Sequence, residues 1–206
     1  MTQAVLVLVP LRVEAAVLRT APGWRVLRTG MGAARSRKAA ARGLAVDAAA
    51  VVVVGVCAAV SPDLRPGDIV CATELRREGT DAVETDGSDL LATAIGRQGL
   101  RAVAGPLVST DHLTGPKGRG RLEHDGVLAL DMESAWLAEA AGGRPFAVVR
   151  AVVEPAGRRL ADPRTVPAGI RALASLRRAC PAIAEWAADV ASSRIPDEPV
   201  RELAAR

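Results

Sequence analysis

Two acids, Asp131 and Glu133, flank Met132 in the stretch LALDMESAWLAEAA (residues 128–141), where a short apolar run gives way to an alanine-rich helical pattern. Carboxylates at the exit of a buried strand can accept hydrogen bonds, favour a developing positive charge or move a proton. Further acids stand just after other apolar runs: Glu14 after AVLVLV, Asp111 after RAVAGPLVST, and Glu154 after PFAVVRAVV. Each has a plain structural reading. Glu14 suits the first turn of a helix, where the macrodipole favours an acid. Asp131 and Glu133 can cap the helix that follows, Asp111 can serve a turn, and Glu154, before Pro155, can be a solvated loop residue. Their joint occurrence at strand ends is more than stability requires.

The elements that must position these residues alternate along the chain. Apolar runs at 4–9, 49–60, 69–75, 101–110 and 145–153 read as strands, and WRVLRTG (24–30) adds one with alternation. Helical patterns are expected at 13–21, 33–46, 89–99, 167–179 and 181–193, with polar loops at 77–89 and 111–126. The Gly-rich DHLTGPKGRGRLEHDG reads as a long loop and a mobile flap, since it lacks the strand-to-helix context and spacing of a phosphate loop. Buried strands between helices imply a single three-layer α/β/α domain over residues 1–193 with a mostly parallel, mixed central sheet, followed by a tail at 194–206. Ligands of such sheets bind at the carboxyl ends of strands.

Composition narrows the classes. The chain has 206 residues, half of them apolar and 24% charged, as in globular proteins. The net charge of +4 is spread without a basic block, and aromatics are 2%, which argues against a platform for nucleic acid. Asp47 interrupts the longest apolar run, and no signal peptide or membrane span is legible, so a cytoplasmic protein without stable membrane insertion is expected. Cys57, Cys71 and Cys180 form no disulfide or metal pattern and read as small core residues. His112 and His124 lack a third ligand at metal spacing, so no metal or cofactor is expected. Trp136 and Trp186 read as packing anchors.

Several segments together resemble the nucleoside phosphorylase and nucleosidase superfamily, above all its methylthioadenosine/S-adenosylhomocysteine nucleosidase-like branch. They are VPLRVEAAVL, RTGMGAARSRKAA, VVVVGVCAAVSPDLRPGDIVCATE, GPLVSTDHLT and LALDMESAWLAEAAGGRPFAVVRAVVE, in the family's order over roughly residues 4–160. The last is the most specific, with Met-Glu after a strand and Val-Arg further on. The resemblance implies cleavage of the N-glycosidic bond of an adenosine-type purine nucleoside, through an oxocarbenium-like ribose and a departing base. It implies that Glu133 accepts hydrogen bonds from the ribose, with Met132 as an apolar floor and Asp131 bracing the turn. Glu14 takes the position of the base for the attacking water, and Glu154 that of the acid to the leaving base. Val56, Cys57, Leu113, Thr114 and Val153 fall at other substrate-lining positions.

The chain departs from the family at several of these points. Val153-Glu154 replaces a Ser-Asp pair, and the added methylene moves the carboxyl by about 1.5 Å, where a 1 Å displacement can cost about a hundredfold in rate. Leu113 stands where an aromatic often stacks on the base, so a more aliphatic pocket is expected. Phosphorolytic relatives hold phosphate through an arginine near the first strand, which Arg12 matches, and through polar residues at the central turn, where Val53 and Val56 cannot bind an oxyanion. Hydrolysis is therefore favoured over phosphorolysis. Two alternatives stay open. RAVVEPAGRRL is similar to the hopanoid-associated branch that releases adenine from adenosylated hopane lipids, which would suit an apolar 5′ substituent; the other is a non-catalytic nucleoside-binding protein. The resemblance further implies a homodimer whose partner is a small-molecule nucleoside.

Overall fold

The computed structural model describes residues 4–193 apart from 19, 21, 44, 46, 113, 115 and 157–164. Leu113 and the 194–206 tail thus lie outside the described residues. Eight strands form one mixed sheet: β1 (Ala4–Val9), β2 (Trp24–Arg28), β3 (Ala48–Ala59), β4 (Ile69–Arg76), β5 (Val83–Glu84), β6 (Ala102–Ser109), β7 (Ala129–Asp131) and β8 (Phe146–Glu154). Strands β2, β1, β3 and β8 pair in that order and run parallel to one another, as do β4 with β6 and β6 with β7. Antiparallel pairing of β8 with β4 and of β7 with β3 closes the ring β3–β8–β4–β6–β7. That closure brings the ends of β3, β7 and β8 to one place.

Although both faces of the sheet are covered, its strands keep a period of two. Val5, Val7, Val9, Val52 and Val54 face one layer, built from α3 (Ser88–Arg97) and α6 (Thr165–Ser193). Leu6, Leu8, Val51 and Val53 face the other, with α2 (Ala33–Ala40) and α5 (Ser134–Leu137). Helix α1 (Arg12–Val17) follows β1 directly. Among the described residues no helix is long and apolar enough to cross a membrane, and no group of three or more His, Cys, Asp or Glu could hold a metal ion.

Three sequence-based expectations are corrected. The Gly-rich stretch is not one long loop: Pro116–His124 form helix α4. Pro116 occupies the first helical position, where its missing N–H costs nothing, and a side chain at Gly118 would meet Thr114 Cγ2 at 2.7 Å. The two closing helices are one, running through Pro181. Its apolar stripe of Ala172, Leu176, Ala179, Ile183 and Ala187 is buried on both sides of the proline, whose ring sits on the exposed face. Continuous packing outweighs a proline cost of about 3 kcal/mol. The helix expected over 33–46 ends at Ala40.

Candidate active site

Arg150 lies in the middle of β8 and is wholly buried. A guanidinium there needs partners, because an unpaired buried charge costs several kcal/mol. It has them: Nη2 stands 2.5 Å from Asp131 Oδ2 and 3.6 Å from Glu133 Oε2. Nε and Nη2 also donate to Ser134 Oγ (3.2 and 2.9 Å), and Nη1 donates to Val56 O (3.4 Å). Its cross-strand neighbours are Gly55 on β3 and Val70 on β4. A Cβ on Gly55 would lie 2.3 Å from Arg150 Nη1 and 2.9 Å from Glu14 Oε1, so β3 needs glycine there for space.

Asp131 is the acceptor that shapes the exit of β7. Its Oδ1 accepts from Ser109 Oγ (2.6 Å) and from the backbone N–H of Glu133 (3.2 Å), and its Oδ2 accepts from Ser134 Oγ (2.5 Å). Ser109 Oγ in turn accepts from Ala135 N (2.9 Å), tying β6 to the start of α5. This bracing sets the direction of Glu133, whose Oε1 accepts from Gly32 N at 2.9 Å. Gly32 holds φ 90°, a conformation that favours glycine, and so presents its N–H to the acid from the turn before α2. Glu133 Oε2 accepts no hydrogen bond among the described residues.

Glu14, in the first turn of α1, is 1% exposed. Oε2 accepts from Leu11 N (2.7 Å) and Oε1 from Val56 N (2.8 Å), so α1 and β3 fix the carboxylate between them. Burial raises the pKa of Glu14, against the opposing pull of Arg150 and the two N–H donors. Burial likewise raises that of Glu133, again opposed by Arg150 and reinforced by the charge of Asp131. For Arg150, burial works against the charged form, but Asp131, Glu133 and Glu14 outweigh it and leave the pKa raised. Three carboxylates thus surround a single guanidinium, and the cluster tends toward excess negative charge.

Glu154, the last residue of β8, has a separate partner. Its Oε1 accepts from Arg119 Nη2 at 2.6 Å, both side chains being under one-tenth exposed. Arg119 projects from α4 and also donates through Nε to Thr114 O (3.2 Å). Its Nη1 and the hydroxyl of Thr114 are buried and have no hydrogen-bond partner among the described residues. A cavity of about 740 Å³ adjoins this region, and Thr110, Asp111, His112, Thr114, Arg37 and Trp136 are among its lining residues.

The structure therefore gathers Glu14, Val56 and Glu133 around Arg150, with Met132 half-buried between Asp131 and Glu133. Thr114 approaches Glu154 only through Arg119. Val153 is half-buried against the α6 layer. Cys57 packs into the opposite layer, and burial pushes its thiol up to about 12, which keeps it neutral. Val53 is buried in that layer too, and Arg12 is exposed at the start of α1. Arg150, Arg119, Ser109 and Gly32 were not among the sequence candidates. Arg150 had a legible signal, as the lone charge inside PFAVVRAVV; Arg119 lay in a stretch that reads as loop.

A three-layer α/β domain with a partly closed mixed sheet and buried carboxylates at its strand exits defines the class of this protein. The chain belongs to the phosphorylase superfamily, whose family model matches residues 23–190. Glu133 and Glu154 fall inside the match and Glu14 precedes it. The fold is similar to that of 5′-methylthioadenosine/S-adenosylhomocysteine nucleosidase from Campylobacter jejuni, at 16% identity and a TM-score of 0.74, over 89% of this chain and 100% of that one. The Helicobacter pylori nucleosidase of the same name is 19% identical over 91% and 98% of the two chains, with a TM-score of 0.70. Futalosine hydrolase of H. pylori gives 19% identity, 92% and 98% coverage and a TM-score of 0.70. No curated protein matches the chain in sequence.

Proposed function

We propose that this protein is an enzyme that hydrolyses the N-glycosidic bond of a purine nucleoside. The observation that carries the reading is Glu133, buried and fixed through Oε1, while Oε2 lies 3.6 Å from Arg150 Nη2 and accepts no hydrogen bond among the described residues. An oxygen so placed can accept from the ribose hydroxyls and favour the cationic sugar of the transition state. The surplus of carboxylates around Arg150 works in the same direction, since it offers net negative charge to a developing cation. Glu14, whose pKa burial raises, is the base: water adds to the anomeric carbon, its proton passes to Glu14, and the carbon–nitrogen bond breaks. The electron pair leaves with the base and is neutralised by a proton delivered from Glu154 Oε2, Oε1 being held by Arg119.

The names of structurally similar proteins support this class of chemistry, as nucleosidases acting on methylthioadenosine or S-adenosylhomocysteine and as a futalosine hydrolase. Water rather than phosphate is the acceptor. Val53 is buried in the core and cannot meet an oxyanion, and Arg12 is exposed, with valines at the β3 positions where phosphorolytic relatives carry polar residues. The test is incubation with a panel of purine nucleosides, with and without phosphate, followed by detection of free base and sugar. Free ribose without phosphate is expected. A strict need for phosphate, with ribose 1-phosphate as product, would make the protein a phosphorylase. Binding of nucleosides without release of base from any of them would leave a binding protein.

A further inference from the structure

Arg119 is 7% exposed, yet among the described residues only two of the five N–H donors of its guanidinium have acceptors, one in Glu154 and one in Thr114 O. Among the described residues Nη1 has no partner, nor has the neighbouring Thr114 hydroxyl, although both are buried. Native proteins seldom leave such groups unpaired, because each forfeits its hydrogen bonds with water. The rest of the site does not share this feature. Arg150, equally buried, spends its donors on Asp131, Ser134 and Val56. Arg119 is instead anchored on two sides, by strand β8 and by the turn before α4, with its remaining edge unspent. Gly118, where a side chain would strike Thr114, lets α4 approach closely enough to hold that geometry.

We infer that Arg119 reads the leaving base, its unspent Nη1 and the adjacent guanidinium edge donating to two acceptors on one rim of the ring, so that the site prefers a 6-oxopurine nucleoside to a 6-aminopurine one. This rests on the proposed hydrolysis, for which Glu154 marks the leaving-base end. A guanidinium offers donors alone. The N7 and O6 rim of a 6-oxopurine presents two acceptors and is the usual bidentate partner of arginine; a 6-aminopurine presents N7 beside an amino donor, which suits asparagine or glutamine. A donor facing that amino group gains one bond and leaves another group unpaired. The adenosine-type substrate implied by the sequence resemblance is thereby replaced by an inosine-type one. Arg119 also holds Glu154 in place, so base selection and assistance to the leaving base reside in one ion pair.

Two readouts on the full-length chain test this. The first is calorimetric binding of hypoxanthine and adenine, and the second is kcat/KM for inosine and adenosine. The wild type should favour the oxopurine by about ten- to a hundredfold, the range of a good bidentate contact. Arg119→Met should bring the ratio close to one, a change that loss of mere packing would not produce. Arg119→Lys should keep the fold and lower the ratio partway, which serves if the methionine variant melts early. A wild-type ratio at or below one, in binding and in turnover, overturns the inference. Selective binding of hypoxanthine without base release from either nucleoside would sink the hydrolase reading and keep this one. Turnover that favours adenosine would do the reverse, and neither binding nor release would remove both.

Discussion

The molecule contains two buried arginine–carboxylate arrangements that differ in how completely they are satisfied. Around Arg150, which lies on β8, nearly every polar atom has a partner, and the partners come from β3, β7 and α5. Around Arg119, on the short helix α4, the contacts come from the turn before that helix and from the end of β8, and two buried polar atoms have no partner among the described residues. The first arrangement is a scaffold that fixes the direction of Glu133 and, through Val56, of Glu14. The second is built to be completed by a ligand. Similar residue types thus play different parts according to whether their hydrogen-bonding capacity is already spent.

The largest effect should come from breaking the scaffold. Arg150→Met leaves Asp131, Glu133 and Glu14 buried without their cation, and breaking a buried pair from one side typically costs about 3–5 kcal/mol. Urea unfolding of the variant should show a loss of at least that size, and a loss under 1 kcal/mol would mean the cluster is no scaffold. At the second arrangement, stability should matter less than rate. Glu154→Gln should reduce base release by about 10²–10⁴-fold, the usual worth of general acid catalysis. Glu154→Asp should also lower it, because the contact with Arg119 is made to the longer side chain; rates at or above wild type would show that α4 does not set the reach of this acid.

A smaller effect is expected at Gly55→Ala. The added methyl must displace Arg150 Nη1 or Glu14 Oε1, and overpacking of that kind costs about 1–3 kcal/mol. A melting temperature unchanged by this substitution would place slack where the structure has none. The smallest effect is on pH dependence. Glu14 binds its proton more readily in the folded chain than at the ordinary value of 4.5, so ionising it costs stability as pH rises through and above that range. The difference in melting temperature between Glu14→Gln and wild type should therefore move in favour of the variant from acid to neutral pH. Movement the other way would contradict a raised pKa.

Much of the first arrangement could be read in the sequence and little of the second. Asp131, Glu133 and Glu14 announced themselves as acids at the ends of apolar runs, since such runs in an α/β chain place their exits at one edge. Ring closure through β7 and β8 could not be read, because antiparallel pairing between distant strands leaves no local pattern. Arg119 was hidden for another reason. In GPKGRG the glycines suggest a loop, yet Pro116 starts a helix that Leu122 ties to Val60, Val127 and Leu130. Pro181 misled in the same way: local propensity argued for two helices, and packing along one apolar stripe made them continuous.

The account depends most on Glu133, and Glu133→Gln isolates it. Glutamine keeps an acceptor for Gly32 N while removing the charge that favours a cationic ribose. Base release from the best nucleoside substrate, measured without phosphate in a single turnover, should fall by at least about a hundredfold, as expected when a transition-state electrostatic contact is lost, while the melting temperature stays within a few degrees of wild type. Release at the wild-type rate from a variant that melts normally would remove Glu133 from the chemistry and with it the proposed site.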